Sequence, residues 1–228
     1  CSRNRRTMQI ELLKSDAMGR IERVSDGERC WIRRDTRCAR LGLRWFARTA
    51  AAREARVLAA LAGLDGFPQL ISWHEGVLER SYMDGEPMQQ AKPSQPAWYR
   101  QAHAMLKQMR RRGVAHNDLA KEPNWLQRAN GMPGIVDFQI AWWWPRGGKL
   151  FRLLAREDLR HLLKHKRTYC AHALTPVEHR VLARRSWISR AWLATGKRLY
   201  KLIARRDNAA AQAAASYRPL IQRLEQGD

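Results

Sequence analysis

The sequence predicts an α+β protein of two lobes, in which a small antiparallel sheet with one main helix precedes a mostly helical second lobe. Three observations predict this architecture. Short strand-like runs with turn signals fill the first part of the chain, a stretch rich in Gln, Lys, Pro and Ser follows up to Pro96, and helical periodicity dominates afterwards. The boundary is therefore placed between an N-lobe of residues 1–84 and a C-lobe of residues 85–228.

Charge is the most unusual feature of the composition. The 228 residues include 43 Lys and Arg against 21 Asp and Glu, a formal net charge of +22. Such a field attracts polyanions in general, including nucleic acid, anionic lipid, phosphorylated glycans and nucleotides, without choosing among them. A proteome with a high arginine background explains the charge equally well.

The cysteines and the apolar runs indicate the cellular compartment of the protein. None of the four cysteines forms a C-x-x-C pair, which argues against zinc and favours free thiols in a reducing cytosol. No apolar run approaches the ~20 residues of a membrane span, and no secretory signal opens the chain. We therefore expect a cytoplasmic protein, with a lipid-modified Cys1 as the weaker alternative.

Turn signals and periodicity define the elements of the N-lobe. Asp26-Gly27 separates "RIERV" from "RCWIRR" and predicts a hairpin, and Glu75-Gly76 predicts a second one. Between them, residues 44–63 predict a helix that ends at Gly63.

One acidic residue of this helix lies on its apolar stripe. Glu54 falls four residues after Ala50 and four before Leu58. Considered on the helix alone, Glu54 is expected at the edge of the stripe and in contact with water. The alternative is a buried carboxylate, which would need a positive partner.

The C-lobe begins with a helix from Ala97 to the stop signal at Gly113. One face of it carries Trp98, Ala102, Met105 and Met109. Asn130-Gly131 then predicts a hairpin, and folding about that turn places Asn124 opposite Asp137 to within a residue or two of register. Basic helices follow, and their apolar face of Ile188, Trp192, Leu199 and Ile203 favours core packing over a membrane-surface helix.

The stretch "GVAHNDLAKEPNWL" carries the candidate chemistry. The hairpin brings the oxygen-bearing side chains of Asp118, Asn124 and Asp137 to one end of a small β unit. Such hard oxygen ligands suit Mg²⁺, and a carboxylate without a metal role can accept a proton from a hydroxyl. The alternatives are a hydrogen-bonded core His116 and turn or capping roles for Asp118 and Asn124. Asp137 is harder to explain structurally, because its strand is strongly apolar.

These residues resemble a known family. "HNDLAKEPN" is similar to the catalytic loop H-R-D-L-x-x-x-N of protein kinases, and "IVDFQ" is similar to their D-F-G segment. In particular, the chain resembles bacterial kinase-like proteins of the RIO and lipopolysaccharide-core kinase group over roughly residues 20–170. The resemblance implies a two-lobed protein-kinase-like fold that uses ATP and Mg²⁺.

The resemblance also implies roles in the C-lobe. Asp118 would align the acceptor hydroxyl and take its proton, while His116 would brace the loop. Asn124 and Asp137 would bind the metal. Lys121 would contact the transferred phosphoryl group.

In the N-lobe, the resemblance implies a nucleotide site. Glu54 would hold a strand cation that binds the α- and β-phosphates. The matching position is Arg33, with Arg34 as a nearby substitute. The backbone around Glu79 to Ser81 would hydrogen-bond the adenine edge.

Several features depart from the family pattern. Arg replaces Lys at the phosphate-binding position, Asn124 lies one residue farther from Asp118 than usual, and Gln139 replaces Gly. Neither a G-x-G-x-x-G loop nor an A-P-E motif is visible. These departures favour a small-molecule, glycolipid or atypical protein kinase over a conventional one.

The sequence thus predicts an ATP-dependent phosphotransferase acting on a hydroxyl of a protein Ser/Thr or of an anionic glycolipid such as a lipopolysaccharide sugar. "WWWPRGGKLFRLL" suggests peripheral contact with an anionic inner membrane face. The alternative is a pseudokinase, a kinase-shaped nucleotide-binding module with weak or no catalysis. Specific nucleic-acid binding is not expected, because no recognition motif accompanies the charge.

Overall fold

A computed structural model describes residues 8–183 of the chain. The strands are β1 (Gln9–Asp16), β2 (Gly19–Ser25), β3 (Cys30–Asp35), β4 (Leu70–His74), β5 (Val77–Ser81), β6 (Glu86–Pro87), β7 (Val114–Ala115), β8 (Trp125–Gln127), β9 (Pro133–Ile135) and β10 (Trp142–Trp143). The helices are α1 (Arg44–Ala60), α2 (Met88–Ala91), α3 (Pro96–Arg111), α4 (Lys149–Tyr169) and α5 (Pro176–Ala183). Short 3-10 turns lie at Leu41–Leu43, Glu122–Asn124 and Ala171–Ala173.

An antiparallel sheet of five strands, in the order β1-β2-β3-β5-β4, forms the first part of the chain. Both predicted hairpins are confirmed. At the first, Asp26 Oδ1 accepts the amides of Glu28 and Arg29 at 3.1 and 2.7 Å. These bonds favour the tight turn, and Gly27 takes the left-handed conformation that it requires, at φ +89°.

Helix α1 packs on this sheet, as the apolar stripe predicts. Ala51 and Ala55 contact Leu78 of β5 in a small buried cluster. The helix ends at Ala60, three residues before the predicted stop at Gly63, which lies in the following turn with a positive φ and donates its amide to Gln69 Oε1 at 3.0 Å. One side of α1 therefore covers the sheet, and the same side carries Glu54.

The larger core surrounds α3. All four residues of its predicted face are buried: Trp98, Ala102, Met105 and Met109. They belong to one cluster that also contains Leu58 of α1, Trp125 of β8 and Leu162 of α4. Apolar burial therefore connects the N-terminal helix to the hairpin and to α4.

The β8–β9 hairpin lies one residue away from its predicted register. Trp125 pairs with Ile135, so Asn124 faces Val136 rather than Asp137, and the Val136 amide donates to the Asn124 carbonyl at 3.0 Å. The hairpin loop spans residues 128–132, so its centre is Asn130. The prediction placed the centre of the turn between Asn130 and Gly131, which accounts for the shift of one residue. This shift of one residue lies within the range that the sequence left open, and Asp137 still directly follows the contact.

Backbone and side-chain contacts fix the hairpin to the segment between α1 and β4. The Ile135 amide donates to the Gly66 carbonyl at 2.9 Å, and both terminal nitrogens of Arg128 bind the Asp65 carboxylate at 2.7 to 2.8 Å. Residues 8–182 lie within one compact unit, and the lobe boundary at residues 84 and 85 stays a prediction.

The apolar face predicted for Ile188 to Ile203 lies outside the described residues. Within residues 8–183, the helices are too short or too polar to cross a bilayer.

Removing core volume from α1 should destabilise the fold. Leu58 is fully buried in the larger core, so Leu58→Ala is expected to lower the free energy of unfolding by about 2–5 kcal/mol. Leu41 is 87% exposed, and Leu41→Ala is expected to change it by less than about 0.5 kcal/mol. Urea titrations of both variants test this, and equal effects would contradict the packing described here.

Candidate active site

A buried histidine ties the loop of residues 116–124 to the segment that carries Asp137. The His116 ring bonds the Val136 carbonyl through Nε2 at 3.0 Å, and its Nδ1 accepts the Asp118 amide at 3.3 Å. This pattern requires the neutral ring with its proton on Nε2. Burial supports that form, because it lowers the pKa of His116 to about 4. His116 thus sits where a brace between the two segments is needed.

The buried carboxylate of Asp158, which the sequence analysis missed, holds the start of the 116–124 loop in place. The Asp158 carboxylate on α4 accepts the backbone amides of His116 and Asn117 at 2.7 and 3.0 Å. Asn117 holds a left-handed conformation, φ +67°, that is unfavourable for a non-glycine residue. The signal in the sequence was an acid on the apolar face of α4, four residues before Leu162.

Asp118, Asn124 and Lys121 meet in one cluster. Asn124 Nδ2 donates to the Asp118 carbonyl at 2.9 Å and to Asp118 Oδ2 at 3.1 Å. Lys121 Nζ donates to the same Oδ2 at 2.7 Å. The extra residue between Asp118 and Asn124 is accommodated by the 3-10 turn at Glu122–Asn124, so the amide side chain still reaches the carboxylate.

Asp137 lies next to this cluster with an unsatisfied oxygen. Its Oδ1 is buried and has no hydrogen-bond partner, and its backbone is left-handed at φ +66°. A buried carboxylate oxygen without a partner is unfavourable unless a cation completes it. Asp137 and the amide oxygen of Asn124 therefore fit one or two ligand positions of Mg²⁺, which takes its other ligands from water and phosphate.

The described residues contain no cluster of three or more His, Cys, Asp or Glu that could hold a metal. That finding is compatible with this donor set, because Mg²⁺ in nucleotide sites uses few protein ligands.

Glu54 is fully buried, so the expectation that it reaches water is wrong. Its carboxylate lies 3.7 Å from Arg34 Nε and 3.2 Å from Arg80 Nε. Neither contact has hydrogen-bond geometry, since both Glu54 oxygens lack a bonded donor. The carboxylate is therefore held by charge between two arginines, one on β3 and one on β5.

Arg33 is not the partner of Glu54, which corrects the expectation from the resemblance. Arg33 Nε donates to Glu79 Oε1 at 3.0 Å, and Trp31 and Ser72 bond the same carboxylate. Successive strand residues point to opposite faces of a sheet, so only one of two adjacent arginines can face α1. That residue is Arg34, the substitute considered from the sequence.

Glu79 and Ser81 belong to the sheet rather than to an open linker. Glu79 pairs with Arg33 on one side and with Ser72 on the other. The Ser81 amide donates to the Gln69 carbonyl at 2.8 Å, and its hydroxyl accepts the Gln69 amide at 2.9 Å. Strand pairing therefore extends through Ser81, and the linker backbone begins beyond it.

The β1–β2 turn is too tight to be a glycine-rich loop. Asp16 pairs with Gly19, which leaves two residues in the turn. Gly19 has φ +120°, and a Cβ there would collide with the carbonyl oxygen of Asp35. This glycine is thus explained by close packing against β3.

Solved structures are similar to this chain, although no protein-family model and no curated protein matches its sequence. The Rio2 kinase from Chaetomium thermophilum matches 76% of this chain and 61% of its own, at 19% identity and a TM-score of 0.55. The Rio2 kinase–ADP/Mg²⁺–phosphoaspartate complex from the same organism matches 82% and 65%, at 18% identity and a TM-score of 0.54.

The chain has a protein-kinase-like fold. The fold class predicted from the sequence is thereby confirmed, and the chain spans just under two thirds of the length of these Rio2 structures.

The neutral state of His116 predicts a pH dependence of stability. Its folded-state pKa of about 4 lies below the ordinary 6.5, so the unfolded chain binds more protons between these values. The contribution of His116 is complete above pH 6.5 and is lost as the pH falls toward 4. Relative to His116→Gln, which cannot titrate, the wild type should lose about 2 kcal/mol of unfolding free energy between pH 7 and pH 5.

Urea titrations of both proteins across this range measure the difference. Asp158 and His161, whose pKa values burial shifts to about 6 and about 4, titrate in both proteins and serve as an internal control. Parallel pH profiles for the two proteins would show that His116 is not held neutral.

Proposed function

We propose that this protein is an ATP- and Mg²⁺-dependent phosphotransferase of the atypical kinase type. The observation that carries the proposal is the cluster of Asp118 and Asn124 beside Asp137, whose buried oxygen lacks a partner. The kinase-like fold and the ADP/Mg²⁺ in the similar Rio2 complex support it.

In this proposal, the chain positions reactants and charges rather than forming covalent bonds to the substrate. Asp118 aligns the acceptor hydroxyl and accepts its proton, and Asn124 fixes the rotamer of Asp118. Lys121, whose charge the Asp118 hydrogen bond stabilises by raising its pKa, lies beside the transferred group. Asp137 and Asn124 would hold a Mg²⁺ ion, which would neutralise phosphate charge.

Replacing the proposed base should separate turnover from binding. Asp118→Ala is expected to lower ATP-dependent turnover by at least about 100-fold, because proton acceptance and alignment are both lost, while the nucleotide dissociation constant changes little. Glu11→Ala removes a carboxylate that is 63% exposed on β1 and should leave turnover unchanged. Labelled ATP incubated with a fractionated cell extract gives the readout, and full turnover in Asp118→Ala would exclude this residue from the mechanism.

A pseudokinase is the second candidate, and two observations favour it. The two-residue β1–β2 turn cannot cover phosphates as a glycine-rich loop does, and Arg34 occupies the side of β3 where Lys is usual. Thermal stabilisation by Mg·ATP without any phosphate transfer or ATP hydrolysis would establish this alternative.

The acceptor is proposed to be anionic, with a glycolipid at the inner membrane face preferred over a protein Ser/Thr. A cavity of about 310 Å³ is lined by Arg110, Lys149, Arg152, Leu153 and Arg156. Exposed apolar side chains occur close to these basic residues in the sequence. Trp142 and Trp143 of β10 and Leu150 of α4 are 43%, 46% and 47% exposed. Basic side chains next to exposed aromatic ones suit an anionic membrane surface.

Vesicle binding tests this placement. We expect the protein to co-sediment with vesicles containing anionic lipid at low salt, and to be released by high salt because surface charge is screened. Trp142→Ser should weaken the binding several-fold, whereas Trp45→Ser, which removes a tryptophan 77% exposed on α1, should not. Equal binding to uncharged vesicles, or no binding, would favour a soluble acceptor.

A further inference from the structure

The strongest feature that the proposed mechanism leaves unexplained is a buried glutamate with two arginines. Arg34 and Arg80 have side chains only 10% and 13% exposed, and Glu54 has none of its side chain exposed. The kinase resemblance accounts for one cation at this carboxylate. Arg80, at the end of β5, is the second.

The charges of this trio do not balance. Two guanidinium groups and one carboxylate leave one excess positive charge in a region with little water, and arginine does not lose its proton in proteins. Burial acts to lower the pKa of Arg80, and Arg34 acts in the same direction, while Glu54 and Asp137 oppose them. Asp137 therefore lies within electrostatic reach of Arg80. When Asp137 is committed to a metal ion, the excess charge needs another anion.

The two arginines contact Glu54 without hydrogen-bonding it. Neither Glu54 oxygen accepts a hydrogen bond, although the nearest arginine nitrogens lie at 3.2 and 3.7 Å. Both guanidinium groups approach one carboxylate, Arg34 at Oε2 and Arg80 at Oε1, so an anion that contacts both must carry several oxygens. Guanidinium groups bind phosphate oxygens through paired donors, so a polyphosphate is the anion that fits best.

We propose that Arg80 is a second polyphosphate-binding residue, which together with Arg34 forms a clamp around the nucleotide phosphates. This inference rests on the proposed function and extends it. In the free protein the two arginines share Glu54, and with nucleotide bound they divide between Glu54 and the phosphates. The clamp supplies the phosphate contacts that a glycine-rich loop provides in other kinases.

Such a clamp makes affinity depend on the number of phosphates. The dissociation constant should fall steeply from adenosine through AMP and ADP to ATP, and inorganic tripolyphosphate should bind without any base. Each charge-assisted contact of this kind is worth roughly a tenfold change in affinity or more.

The experiment is isothermal titration calorimetry of the full chain with adenosine, ADP, ATP and tripolyphosphate. Arg80→Gln should weaken ATP and tripolyphosphate binding at least about tenfold and leave adenosine binding unchanged. Arg80→Lys, which keeps the charge, should recover part of the loss. Arg33→Gln makes the same change on the opposite face of the sheet, where Arg33 bonds Glu79, and should leave all four ligands unaffected.

The outcomes separate the clamp from the proposed function. Unchanged ATP affinity in Arg80→Gln, or an equal loss for adenosine and ATP, would overturn the clamp and assign Arg80 a structural role. Wild-type binding of tripolyphosphate without ATP binding would support the clamp and contradict the kinase proposal. Binding of neither ligand by a wild type with native circular dichroism would overturn both.

Discussion

The candidate site depends on one buried carboxylate, that of Asp158. Its two oxygens receive the amides of His116 and Asn117, and this fixes the strained backbone from which Asp118 projects. Burial raises the pKa of Asp158 to about 6, so the ionised form is retained at neutral pH against a desolvation penalty. A fold tolerates such a penalty where the carboxylate satisfies amides that nothing else could satisfy.

Three hydrogen bonds connect this part of the backbone to the rest of the candidate site. His116 bonds the Val136 carbonyl, the Val136 amide donates to the Asn124 carbonyl, and the Asn124 side chain donates to Asp118. Each contact involves a buried or partly buried group, where an unpaired donor or acceptor is strongly unfavourable. The positions of the carboxylates and the amide are therefore set by the backbone of two loops together, rather than by either loop alone.

The sequence predicted those features that depend on local signals. Turn residues and a 3.6-residue period located the hairpins and the buried face of α3, and the loop motif predicted that Asp118 and Asn124 lie together. What it could not predict depends on distant strands. Choosing Arg34 over Arg33 requires knowing which face of β3 meets α1, and the one-residue register shift arose because a loop length is not visible in a turn signal. Asp158 and Arg80 were missed, because their partners come from segments far away in the chain.

The connection between Asp137 and α4 is short and is pinned in place. β10 pairs with β7 directly beside the 116–124 loop, and α4 starts soon afterwards, at Lys149. Within residues 8–183 there is consequently no long, free segment at this point that could swing between an open and a blocking arrangement. The pairing of β10 with β7 therefore keeps the backbone that follows Asp137 at a fixed distance from the start of the 116–124 loop.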